Sequence, residues 1–133
     1  MSHFTTVETK IKNLNLLKRV LKELGYAYTE AEVNQHVKVR GYQGQKTDAE
    51  MVIHASKTYD VGVRVTEKGV VFVADWWGVE TTRGVSEEVF IKQIVQRYSY
   101  HTVMEAVQAK GYTVAEEEVE EDQTIKLKIK GWS

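Results

Sequence analysis

The sequence predicts an α+β fold, with an antiparallel or mixed β-sheet flanked by two main helices. Two helical stripes and a set of alternating runs carry this expectation. Leu14, Leu17, Leu21 and Leu24 recur at spacings of three and four, the apolar stripe of an amphipathic helix. Phe90, Ile91, Ile94, Val95 and Tyr98 form a second stripe. Val61, Val63 and Val65, and later Ile125, Leu127 and Ile129, alternate with other residues at the period of a strand. With 133 residues, the chain fits one domain over 1–133 and can bury a hydrophobic core.

His3 to Ile11 suits a strand, with Phe4, Val7 and Ile11 as its apolar members. Asn13 caps the first helix and Gly25 ends it in the left-handed position. A strand pair is expected next, Tyr26 to Thr29 and His36 to Tyr42. The polar, glycine-containing segment Gly41 to Glu50 reads as a loop, and Met51 to Ala55 as another strand. Tyr59 to Thr66 and Val70 to Trp77 form a hairpin about Glu67-Lys68-Gly69, where the glycine supplies the backbone freedom of the turn. Val70 to Trp77 is apolar on both faces, which predicts a strand covered on both sides. Glu80 to Gly84 reads as a loop. Ser86 then caps the second helix, whose positive end suits Glu87 and Glu88. Its pattern runs to Gly111, as one helix or as two with a break near Ser99. A hairpin of Tyr112 to Val119 and Thr124 to Lys130 closes the chain. The runs from Val20 to Val33 and from Ala106 to Val119 echo one another about Gly-Tyr. They mark either a duplicated helix-strand-strand unit or two helices that share a glycine cap.

Composition narrows the function classes. The net charge of -1 provides no basic excess for holding nucleic acid by counterion release. The absence of cysteine removes disulfides, thiolate metal sites and a cysteine nucleophile. The first ten residues carry neither an apolar signal run nor an arginine-rich presequence. The longest apolar stretch, Val70 to Ala74, is too short to insert in a membrane as a helix. His3, His36, His54 and His101 share no helical metal-ligand spacing. Gly41 to Lys46 matches neither the P-loop nor the dinucleotide fingerprint. No cofactor and no metal are therefore expected.

The acidic run from Glu116 to Asp122 faces Lys126, Lys128 and Lys130 in the expected hairpin. Exposed pairs of this kind contribute on the order of 0.2–1 kcal/mol each. The basic face of the first helix, with Lys10, Lys12, Lys18, Arg19 and Lys22, reads as a solvated face, with an acidic partner as the alternative. More informative is Asp75-Trp76-Trp77-Gly78. At the end of a strand, adjacent tryptophans point to opposite faces. One of them is then left for a helix or a partner, and tryptophan is enriched in binding hot spots. Arg97, Tyr98, Tyr100 and His101 form a second polar-aromatic group. If the second helix crosses the sheet, this group approaches Asp60 or Asp75, making a buried Asp–His or Asp–Arg pair.

The opening MSHFTTVETKIKNLNLLKRVLKELGY, YDVGV at Tyr59 to Val63, DWWGV at Asp75 to Val79 and QRYSYH at Gln96 to His101 together resemble the hypothetical chloroplast reading frame thirty-five family. That family is found in cyanobacteria and some plastid genomes and carries a domain-of-unknown-function label. The resemblance covers essentially the whole chain. It implies a cyanobacterial cytoplasm or a plastid stroma, and it brings no catalytic residue to carry over. The expected function is a non-catalytic accessory protein that binds another protein, with Trp76, Trp77, Asp75, Asp60, Arg97, Tyr98, Tyr100 and His101 as the binding residues. Two alternatives stand beside it. One is an enzyme or small-molecule binder with a site near Asp60, Asp75, Tyr98 and His101. The other is an RNA-binding protein that uses the first helix and exposed aromatics. An uncovered tryptophan or an exposed edge strand would favour a homodimer.

Overall fold

A five-stranded antiparallel sheet organises the chain, and the alternation of its side chains decides what covers each face. The computed structural model describes residues 4–32, 35–41, 46–119 and 125–130. The elements in order are β1 (Thr5–Glu8), α1 (Leu14–Glu23), β2 (Ala27–Glu30), β3 (Val37–Arg40), β4 (Lys46–Ala49), β5 (Met51–His54), β6 (Val61–Thr66), β7 (Gly69–Ala74), α2 (Trp76–Arg83), α3 (Glu87–Ala109), β8 (Thr113–Val119) and β9 (Ile125–Lys130). The large sheet has the order β1-β7-β6-β5-β2, and β3–β4 and β8–β9 are separate hairpins. The predicted α+β class holds.

Met51, Ile53, Val61, Val63, Phe72 and Ala74 point to one face, into a core shared with Leu17, Val20 and Leu21 of α1 and Phe90 and Ile94 of α3. Val52 and Val73 point to the other face, where Val39 and Ala49 of the β3–β4 hairpin cover them. Gly62 lies on that second face. A Cβ there would come within 2.6 Å of Val39 and 2.7 Å of Val73, so the missing side chain lets the small hairpin lie close on the sheet. β7 is thus covered on both sides, as its two apolar faces predict.

The caps follow the local chemistry. Leu16 N–H donates to Asn13 Oδ1 at 3.1 Å, and Gly25 takes a φ of 82° beyond the end of α1. Ser86 Oγ accepts from Val89 N–H at 3.2 Å. α3 runs unbroken through Ser99, which decides for one helix over two.

Three expectations change. First, the tryptophans are helical: β7 stops at Ala74, and Asp75 accepts from Gly78 N–H at 3.2 Å, capping α2. Successive helical residues are about 100° apart, so Trp76 turns into the core beside Phe90 while Trp77 is 53% exposed. The segment from Glu80 is accordingly helix as far as Arg83. Second, the strands near Tyr26 and His36 do not pair with each other. β2 pairs with β5, and β3 with β4, a strand inside the segment expected to be a loop. Its sequence, KTDA, carries no apolar alternation to reveal it. Third, Tyr26 N–H donates to Leu21 O and Tyr112 N–H to Val107 O, both at 2.9 Å, so the two echoing runs share a helix cap. Beyond it they diverge, because β2 enters the large sheet and β8 pairs with β9. The structure does not bear out a duplicated unit.

In the terminal hairpin, Glu116 stands opposite Lys128 and Glu118 opposite Lys126. Glu120, Glu121 and Asp122 lie outside the described residues.

Two substitutions test the placement of the tryptophans. Trp76→Ala removes a core side chain and is expected to cost about 3–5 kcal/mol. Trp77→Ala is expected to cost no more than about 1 kcal/mol. Gly78→Ala adds a Cβ 1.8 Å from an atom of the Tyr59 ring and is expected to cost about 1–3 kcal/mol. Urea unfolding of the three variants checks all of these, and equal losses at Trp76 and Trp77 would refute the helical placement.

Candidate functional site

Asp60 follows β5 and precedes β6, and its side chain is 1% exposed. A buried carboxylate needs donors and a counter-charge. Arg40, at the end of β3, supplies both. Its backbone N–H and its Nε–H reach Asp60 Oδ2 at 2.8 and 2.9 Å, and Nη2 reaches Oδ1 at 2.9 Å. The carboxylate in turn raises the Arg40 pKa further above its ordinary value, chiefly through this hydrogen bonding. His54 Nδ1 lies 3.3 Å from Asp60 Oδ1, and His54 Nε2 lies 2.7 Å from Thr29 Oγ1. A carboxylate only accepts, so Nδ1 carries the proton and Nε2 accepts from the threonine hydroxyl. The imidazole is therefore held at both ends.

The rest of the Arg40 guanidinium orders the neighbouring loop. Nη1 donates to Lys57 O at 2.6 Å and Nη2 to Ser56 O at 3.3 Å. Ser56 Oγ accepts from Tyr59 N–H at 3.1 Å and lies 2.8 Å from the Thr82 hydroxyl oxygen of α2. Beside this loop lies an open cleft of about 720 Å³, lined by His54 to Thr58 and by Thr82 and Arg83. Arg83 stacks over the Tyr26 ring at 4.9 Å.

The residues predicted to converge are spread over several joints. Asp75 caps α2. Tyr98 OH accepts from the backbone N–H of Asn13 at 3.0 Å and of Lys12 at 3.3 Å, holding the start of α1 to α3. His101 Nε2–H reaches Glu23 Oε1 at 2.7 Å, at the end of α1. Arg97 lies 5.6 Å from the Tyr100 ring centre. The sequence thus predicts the right kind of buried pair with the wrong partners: the residues on Asp60 are Arg40 and His54. Arg40 sits on a strand whose neighbour was read as loop, so nothing local signalled its reach. The alternating VKVR run does place Arg40 with Lys38, away from Val39.

A second feature lies along the side of α3 turned away from the core. The β8–β9 hairpin packs there, fastened by Tyr100 O–H donating to Glu117 at 2.9 Å. That bond holds the Tyr100 phenol above its ordinary pKa. A folded pKa raised above the unfolded one means that the contact's contribution is complete below the ordinary phenol range and fades as pH rises through the folded value. Between helix and hairpin runs a groove of about 370 Å³, whose apolar walls are Val95, Val103, Ile125 and Leu127.

Removing the cation from the Asp60 pair leaves a buried carboxylate uncompensated. Arg40→Ala is therefore expected to cost about 3–5 kcal/mol, read as a lower urea midpoint. An unchanged midpoint would refute this role.

A family model described as a protein of unknown function (DUF1257) matches residues 20–128. An uncharacterized protein ycf35 from Guillardia theta is 32% identical over 99% of this chain and 98% of its own length. One from Cyanophora paradoxa is 28% identical over the same shares, and one from Pyropia yezoensis is 31% identical over 100% and 99%. No solved structure matches the chain. The whole-length agreement with these relatives and the match over most of the sequence place the chain in the DUF1257 family, the family of the uncharacterized ycf35 proteins.

Proposed function

We propose that this is a non-catalytic accessory protein that binds another protein through the outer side of α3, with α2 and the terminal hairpin at its margins. One observation carries the reading. Seven large apolar residues are exposed among the described residues, and six of them lie on α2, on α3 or in the segment after α3: Trp77, Val89, Val95, Val103, Tyr112 and Ile129. Scattered apolar residues on a surface are ordinary, whereas a concentration on one part of the fold marks an interaction surface. The groove between α3 and the hairpin offers a recess for an apolar anchor, the usual core of a hot spot. Of the residues expected to bind, Trp77 and Tyr100 belong to this region, and Arg97 stacks on Tyr100. Trp76, Asp75 and Asp60 are buried.

The compartment we propose is a cyanobacterial cytoplasm or a plastid stroma. The ycf35 relatives support it. No helix of the described residues is long and apolar enough to cross a membrane.

Affinity purification of the tagged protein from its host at natural abundance tests the reading, with Trp77→Ala and the pair Val95→Asp with Val103→Asp alongside. A near-stoichiometric partner is expected with the natural chain. The charged pair is expected to reduce its recovery at least about tenfold, with the helical circular dichroism retained. Recovery of the same partner at the same level with every variant would sink the proposal, as would no partner at all.

A further inference from the structure

We infer that the cleft between the Ala55–Thr58 loop and the end of α2 is a binding site for a small molecule held by its phosphoryl group. The inference stands apart from the protein-binding reading, since it rests on different residues and a different kind of chemistry.

The lining carries the argument. Lys57 and Arg83 bring two permanent cations, and Ser56, Thr58 and Thr82 bring hydroxyl groups. No carboxylate lines the cleft. Two carboxylates lie two positions from the lining in sequence: Asp60, buried and paired with Arg40, and Glu80, exposed one turn before Arg83 on α2. Among the described residues, neither Lys57 nor Arg83 forms an ion pair with a carboxylate. This is a local surplus in a chain of net charge -1. Other concave regions differ. The cleft beside Leu14 carries Glu30, Glu32 and Glu50, and the one beside Lys68 carries Glu8 and Glu67.

Several of the groups that would repel an anion are occupied. Arg40 caps the Ser56 and Lys57 carbonyls. At the negative end of α2, the Gly84 N–H takes Glu80 O at 2.9 Å and the Thr82 hydroxyl takes Gly78 O at 2.6 Å. His54, clamped between Thr29 and Asp60, forms one wall. Two cations and the Thr58 hydroxyl, with no carboxylate in the lining, suit the several acceptor oxygens of a phosphoryl dianion better than one carboxylate group. A volume of about 720 Å³ lies within the roughly 300–1,000 Å³ of small-molecule sites. It is much larger than a bare oxyanion, which points to an organic phosphate.

The test is an amide-shift titration by NMR with glycerol 3-phosphate, inorganic phosphate and acetate in separate arms. The natural chain is compared with Lys57→Ala, Arg83→Ala and the control Lys68→Ala. Lys57 and Arg83 are both exposed, and Lys57→Ala decides should loss of the Arg83–Tyr26 stacking disturb the fold. Saturable shifts confined to residues 54–59 and 81–84 are expected with both phosphates, weakened roughly tenfold or more by Lys57→Ala and unchanged by Lys68→Ala. Equal binding of acetate would overturn the phosphoryl assignment. Shifts that do not saturate, that spread over all the lysines, or that survive Lys57→Ala undiminished would overturn the site.

Discussion

Much of this fold turns on one buried carboxylate. Asp60 sits where β5 gives way to β6, at 1% exposure, and a charge there is tolerable only with a cation and a full set of donors. Arg40 meets the need from another part of the chain, so the requirement of one side chain becomes a constraint on several segments. The β3–β4 hairpin must end with Arg40 over Asp60, and Gly62 lets it seat against Val39 and Val73. The loop after β5 must present its carbonyls to the same guanidinium. His54 must face Asp60 with one nitrogen and Thr29 with the other. The apolar contact of Val39, Ala49, Val52 and Val73 supplies attraction for the hairpin, but attraction alone does not select one register. Directional contacts do: the Asp60–Arg40 pair on β3, and Arg64 donating to Asp48 O and Thr47 Oγ1 on β4.

The motifs quoted for the family resemblance acquire a physical meaning in these terms. Tyr59 of YDVGV lies against Gly78 of DWWGV, where any side chain would collide with its ring. Asp60 and Gly62 of the first motif fix the β3–β4 hairpin, and Asp75 of the second starts α2. Tyr98 and His101 of QRYSYH tie α3 to the start and the end of α1. Each of these three motifs is a joint between elements distant in sequence, which is a role in assembly.

What could be read in the sequence divides along the same line. The stripe of α1, the hairpin about Gly69 and the alternation in β9 were legible because periodicity is a local signal. β4 was not, because KTDA pairs through its backbone and buries only Ala49. α2 was misread because a run of Val70 to Ala74 leading into two tryptophans looks like one continuing strand. The signal that ends it is Asp75 three residues before Gly78, the spacing of a helix cap. The aromatic and acidic candidates do not group as the sequence suggests. Which aspartate meets which arginine depends on tertiary crossing, and neither spacing nor composition carries that information.

α3 explains why the apolar surface lies where it does. A helix packed on one face of a sheet needs one buried stripe, and Phe90, Ile94, His101 and Val107 provide it. The same helix keeps Val89, Val95 and Val103 on other sides, partly served by a two-stranded hairpin. Such a hairpin is a weak cover, since two strands alone are marginal in water and the cross-strand Glu–Lys pairs add little. Its apolar side and the valines of α3 therefore face each other across a groove instead of closing into a second core. α2 connects this region to the cationic cleft, carrying Trp77 near one end and Arg83 at the other. Between them Trp76 packs on Phe90 at 5.7 Å, and Phe90 on Tyr26 at 5.4 Å. A ligand shifts a second site only through contacts that differ between two arrangements. A close-packed aromatic junction favours a single arrangement, so the cleft and the apolar face are carried on one packed frame.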